Sequence, residues 1–137
     1  RLGKGEPFGA VVVKDGEIIG EGFDEVISTN DPTAHAEIVA LRAACKILGS
    51  HNLEGCEIYC SLEPCLMCLH AIYSARIEHI FYAKSLADAV GSEFADDRVK
   101  RQASLGAGTL GIPMEQILPG EAAMPLKYNR ARDKDLC

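Results

Sequence analysis

The sequence predicts a layered α/β domain built on a mixed five-stranded sheet. Three observations carry that expectation. Short β-branched runs alternate with stretches of helical periodicity, a two-residue hairpin signal joins the first two runs, and helical stretches separate the later ones. A chain of 137 residues suffices for one domain with a sizeable core and is too short for two ordinary ones, so residues 1–137 are read as a single domain. The chain opens on Arg1 rather than a methionine, which leaves room for an earlier element.

Each element has its own signal. Residues 9–13 (Gly-Ala-Val-Val-Val) form a β-branched run, Asp15-Gly16 supplies the turn, and residues 17–22 return as the second strand. A polar loop is expected to Asn30. Asp31-Pro32-Thr33 then reads as a helix start, with a capping side chain and a proline tolerated in the first turn. Ile38, Leu41, Cys45 and Leu48 follow at helical spacing as the expected buried stripe, Arg42 and Lys46 face water, and Gly49 closes the helix. Residues 57–60 give a third strand, a second helix runs from near Cys65 to about Ala75, and residues 79–82 give a fourth strand. Residues 86–104 are expected to be partly helical, 111–117 to be a fifth strand and 122–134 a final helix. Helical crossovers between strands three, four and five imply parallel pairing there, beside the antiparallel opening hairpin.

Composition narrows the classes of function. Hydrophobic residues at 47% and charged residues at 25% are the balance of a soluble globular protein, and no apolar run approaches the length that crosses a bilayer. The net charge of -6 disfavours a nucleic-acid partner, whose phosphates call for a basic face. Two basic clusters, Arg98-Lys100-Arg101 and Lys127 to Lys134, read as solvated helix faces. The six cysteines lack a visible secretory signal, and two of them form a C-x-x-C pair, so a reducing, cytoplasmic setting with metal binding is preferred to a disulfide scaffold.

His35-Ala36-Glu37 and Pro64-Cys65-Leu66-Met67-Cys68 carry the chemistry. One imidazole and two thiolates suit Zn²⁺, and three protein ligands instead of four leave one coordination position open. Glu37 then stands beside the metal as proton carrier, poised to accept a proton from an acidified water and pass it to a ring nitrogen and a departing amine. Both ligand groups lie at predicted helix starts, where the dipole favours thiolate. A closed structural site with Cys60 or His70 as fourth ligand is the bland alternative.

This H-x-E…P-C-x-x-C spacing is the signature of zinc nucleobase deaminases. Together with Pro7-Phe8-Gly9-Ala10, residues 31–38, residues 61–68 and residues 71–76, the chain resembles the cytidine/deoxycytidylate deaminase superfamily. It is most similar to the purine-acting branch of bacterial guanine deaminases and tRNA adenosine deaminases. The resemblance implies a three-layer α/β/α sandwich of the cytidine deaminase-like kind, a bound Zn²⁺, and a homodimer whose subunits border one another's sites. It implies deamination of a free purine-like base, guanine or a close analogue. Phe8 matches an aromatic that packs on the base, and Ala36 would offer a backbone N–H near the reacting carbon. The stretch Phe94-Ala95-Asp96-Asp97 places Asp96 where guanine deaminases carry the acid that reads the guanine N–H edge. Asp24 stands where the family has an asparagine touching the purine, Ser74 where guanine deaminases carry tryptophan, and Cys137 where they carry tyrosine. The alternatives are a tRNA adenosine deaminase, a deaminase of 8-oxoguanine, a pterin, cytosine or a triazine, and an inactive zinc-binding module of the same fold.

Overall fold

The computed structural model describes residues 8–89, 97, 100, 101 and 110–117. Strands β1 (Gly9–Lys14) and β2 (Glu17–Phe23) pair antiparallel across the Asp15-Gly16 turn. Both turn residues are left-handed, with φ of 51° and 78°, as the tight turn that follows strand twist requires. The polar loop contains one turn of helix, α1 (Val26–Thr29), ended by Asn30 at φ 53°.

The expected helix start at Asp31-Pro32-Thr33 is a separate turn. Asp31 Oδ1 accepts from the N–H of Thr33 at 2.9 Å and from its hydroxyl at 2.6 Å, so the side chain closes its own local turn. Helix α2 (Ala36–Leu48) begins later, with His35 at the N-cap, and ends at Gly49 as expected. Its deepest face also differs from the expected stripe. Ala36, Glu37, Ala40, Leu41 and Ala44 are buried, whereas Ile38, Cys45 and Leu48 are half-buried.

The cause lies on β2. A Cβ on Gly20 would sit 2.5 Å from the Ala40 carbonyl oxygen and 2.7 Å from the Ala44 nitrogen, and one on Gly22 would collide with the Ala36 oxygen and the Ala40 nitrogen. The helix therefore rests almost backbone to backbone on the strand, and alanines fill the face that touches it.

Strand β3 (Cys56–Leu62), helix α3 (Leu66–Ser74), strand β4 (His79–Lys84), the short α4 (Leu86–Ala89) and strand β5 (Met114–Gln116) complete the order. The fifth strand is shorter than expected because a left-handed turn at Leu110 and Gly111 and then Pro113, which has no N–H, precede it. The sheet order is β2-β1-β3-β4-β5, with β1 antiparallel to β2 and β3, and β3, β4 and β5 parallel. The fold is thus α/β with a mixed five-stranded sheet. Val12, Ile58 and Ile80 from the central strands pack against Leu69 and Ile72 of α3 and the alanine face of α2. This is one helical layer; the helix expected over 122–134 and most of 86–104 lie outside the described residues.

Strand direction places the site. Since β1 is antiparallel to both neighbours, β2 and β3 run the same way and end at the same edge of the sheet. Helices α2 and α3 start just beyond those ends and touch each other. Phe8, just before β1, and the end of β4 border the same edge. Crevices at the carboxyl ends of strands, near a change in strand order, are where open α/β sheets bind ligands.

Candidate metal centre

Two helix tips meet at this edge. His35 and Cys65 are the N-caps of α2 and α3, both extended, with φ/ψ of −66°/157° and −70°/170°. His35 is therefore not inside the helix, which resolves how residues 35 and 37 reach one place despite a spacing that would separate them on a regular helix. Cys65 Sγ accepts the N–H of Cys68 at 3.5 Å, so the thiol itself caps the helix.

His35 Nδ1 lies 3.6 Å from the Sγ atoms of both Cys65 and Cys68. All three donor atoms fall within 4.8 Å of one another. Around a tetrahedral zinc, with Zn–S near 2.3 Å and Zn–N near 2.0–2.1 Å, nitrogen and sulfur stand about 3.6 Å apart. The residues fit the ion. Among the described residues no other His, Cys, Asp or Glu joins this group. The fourth ligand considered for a closed site, Cys60 or His70, is thus not supplied: Cys60 is packed in the core and His70 is exposed on α3.

The electrostatics favour anionic sulfur at Cys65 and a neutral thiol at Cys68. The Cys65 thiol is pulled down to about 4, chiefly by the hydrogen bond from Cys68 and further by His35. The same bond pushes Cys68 well up, aided by burial and by the Glu37 carboxylate. His35 is raised by its bond to Cys65. These groups share protons at short range, and a divalent cation among them would replace those protons.

Glu37 is buried, 8% exposed, and its Oε2 accepts from the Cys68 thiol at 3.3 Å. Burial pushes its carboxyl up to about 7. It stands beside the three donors without belonging to their group. A carboxyl group so placed can take up and release a proton near neutral pH.

The remaining predicted residues divide. Asp24 follows β2 at the same edge, where its N–H donates to the Phe8 carbonyl at 3.3 Å and the next residue, Glu25, donates to Ala34 at 2.9 Å. Asp24 Oδ1 accepts from the N–H of Val26 at 3.0 Å, a local turn that leads into α1. Its carboxylate also acts on His35. Ala36 is buried as the first residue of α2, where N–H groups have no partner within the helix. Phe8 is half-buried beside Asp24. Asp96 lies outside the described residues, as does Cys137, and Ser74 is exposed at the end of α3. The sequence reading missed Ser61, a buried serine on β3 whose Oγ accepts the N–H of Gly9 at 2.9 Å. The signal available was a small polar residue closing a strand of mostly apolar neighbours.

Residues 3–84 match the family described as the cytidine and deoxycytidylate deaminase zinc-binding region. The chain is 47% identical over 125 residues to the guanine deaminase of Bacillus subtilis, covering 91% of this chain and 80% of that protein. It superposes on an X-ray structure of Bacillus subtilis guanine deaminase with a TM-score of 0.67 at 46% identity, covering 95% of this chain and 83% of that one. It is 49% identical over 81 residues to the tRNA-specific adenosine deaminase of Aquifex aeolicus, covering 58% of this chain and 54% of that protein.

Proposed function

Since the chain belongs to the cytidine and deoxycytidylate deaminase family, we propose that it is a zinc-dependent aminohydrolase acting on guanine or a close purine analogue. Water adds at the amino-bearing ring carbon, the carbon–nitrogen bond breaks, and ammonia leaves. One observation carries guanine over tRNA adenosine. Similarity to a guanine deaminase continues over 125 residues, whereas similarity to a tRNA adenosine deaminase spans 81. The net charge of -6 supports the same choice.

His35, Cys65 and Cys68 would hold the zinc. Bound there, the ion supplies Lewis acidity that lowers the pKa of water toward about 7. Glu37 takes one proton of the attacking water on a carboxyl oxygen and delivers it to the ring nitrogen, then takes the remaining proton from the added hydroxyl and delivers it to the departing amine, which leaves as ammonia. A carboxyl group pushed up to about 7 by burial serves both directions. Phe8 packs on the base, the Ala36 N–H borders the reacting carbon, and Asp96 accepts the N–H edge of guanine. Asp24 presents a carboxylate, an acceptor only when ionised, and so favours a ring with N–H at that edge, such as 8-oxoguanine or a pterin.

A homodimer is part of this reading. It is supported by exposed Leu66, Met67 and Tyr73 on the outer side of α3, which lies beside the site. A cytoplasmic setting suits the five described cysteines, all unpaired, and no helix among the described residues is long and apolar enough to cross a membrane.

The test is ammonia release by zinc-loaded protein from guanine, 8-oxoguanine, adenine, cytosine and a pterin. Guanine or its 8-oxo analogue is expected to react, and Glu37→Gln to lower kcat by about 10²–10⁴-fold while zinc stays bound. Silence across the whole panel would leave a non-catalytic zinc-binding module. For Asp24, the expected result is 8-oxoguanine ahead of guanine, with the preference lost in Asp24→Asn. Guanine ahead, with Asp24→Asn unchanged, removes Asp24 from the contacts.

A further inference from the structure

We infer that Ser61 is a positioning residue of the substrate cleft: its hydroxyl fixes the Phe8-Gly9 segment at the mouth of the site. This rests on the reading of Phe8 as the aromatic that packs on the base. The ladder between β1 and β3 runs from Lys14 opposite Cys56 to Ala10 opposite Cys60 and stops there. Gly9 and Ser61 would be the next pair. In place of a backbone bond, the Gly9 N–H donates to Ser61 Oγ at 2.9 Å in a buried contact. On its other side β1 keeps its pairing, Gly9 opposite Phe23, and the Asp24 N–H holds the Phe8 carbonyl at 3.3 Å.

The Phe8-Gly9 backbone is therefore held from both neighbouring strands, by Asp24 on one side and Ser61 on the other. Beyond this point β3 continues through Leu62 toward Cys65, while β1 begins at Gly9, with Phe8 just before it. Beyond the last ladder pair, Ala10 opposite Cys60, the Ser61 hydroxyl takes the Gly9 N–H in place of a backbone carbonyl. Ser61 is 7% exposed, so deleting its hydroxyl leaves a buried N–H without a partner. An unpaired buried N–H is costly enough that the segment shifts to regain one. Ser61 is not among the metal donors and acts only through Phe8.

The experiment compares zinc-loaded native protein with Ser61→Ala, Ser61→Thr, Phe8→Ala and the Ser61→Ala/Phe8→Ala pair. Deamination kinetics are read together with hydrogen exchange at the Gly9 amide. Ser61→Ala is expected to raise KM about tenfold with kcat within about twofold, to speed Gly9 exchange, and to keep its zinc. Ser61→Thr, which keeps the hydroxyl, is expected to restore KM. Adding Ser61→Ala to Phe8→Ala is expected to cost nothing further, because the two act in series. Additive losses, or an unmoved KM in Ser61→Ala, overturn the proposal, even if the variant melts earlier. An unmoved KM in Phe8→Ala removes the Phe8 contact and this role of Ser61 with it. If no protein turns over any base, faster Gly9 exchange in Ser61→Ala still upholds the clamp while the deaminase reading fails, and unchanged exchange overturns the clamp as well.

Discussion

Glu37 meets two opposed demands. The proposed reaction asks it to handle a proton beside the metal ligands, and it would do so from a position almost without water, at 8% exposure. Burial raises its carboxyl from 4.5 to about 7. The charged form is thus the disfavoured one in the folded protein, and the contribution to stability is fully present below pH 4.5 and lost as pH rises through 7. In zinc-free protein, the stability of native chain relative to Glu37→Gln should fall by about 3 kcal/mol across that window. Urea unfolding of both proteins from pH 4 to pH 8 checks this, and a flat difference contradicts the assigned cause. The same residue explains why the chemistry was legible in the sequence. His35, Glu37, Cys65 and Cys68 are specified by spacing within two short segments, and residue type sets their chemistry. Ser61 was not legible, because its role depends on where β1 and β3 part company, a matter of long-range pairing.

At the scale of the element, the contact between β2 and α2 sets how deep the site lies. Gly20 faces Ala40 and Ala44 in mid-helix, while Gly22 faces Ala36, the residue between His35 and Glu37. A methyl group at either glycine has no room, and overpacking of this kind costs about 1–3 kcal/mol. The two should separate in a second measurement. Gly22→Ala lifts the tip of the helix that bears His35, so it should weaken zinc binding as well as lower the urea midpoint. Gly20→Ala should lower the midpoint with zinc affinity largely kept. Equal effects on zinc would contradict the tip argument. Turn chemistry made the Asp15-Gly16 hairpin legible, and the crossovers made the parallel pairing legible, since both follow from local pattern and chain connectivity. The start of α2 was not, because Asp31 carries the right side chain for a cap and uses it on Thr33. The buried stripe was misplaced for a similar reason. Alanine carries little hydrophobic signal, and only the glycines across from it, on another element, show why that face is innermost.

For the whole molecule, zinc held by these residues would staple elements distant in sequence. His35 precedes α2, and Cys65 and Cys68 open α3. An ion that binds only the folded arrangement stabilises it by mass action, about 4 kcal/mol when present at a thousand times its Kd. Removing it with a chelator should lower Tm by about 10 °C or more, with recovery on adding zinc back. A Tm indifferent to chelation contradicts the staple. The convergence of strand ends at one edge has a further consequence on the far side. The Asp15-Gly16 turn is exposed, and no described residue crowds Gly16. It hangs from the opposite rim, about 20 Å along β1 from Phe8. On the proposed reading, that rim lies away from the substrate cleft, so a tag or linker inserted at Asp15-Gly16 is expected to leave ammonia release unchanged.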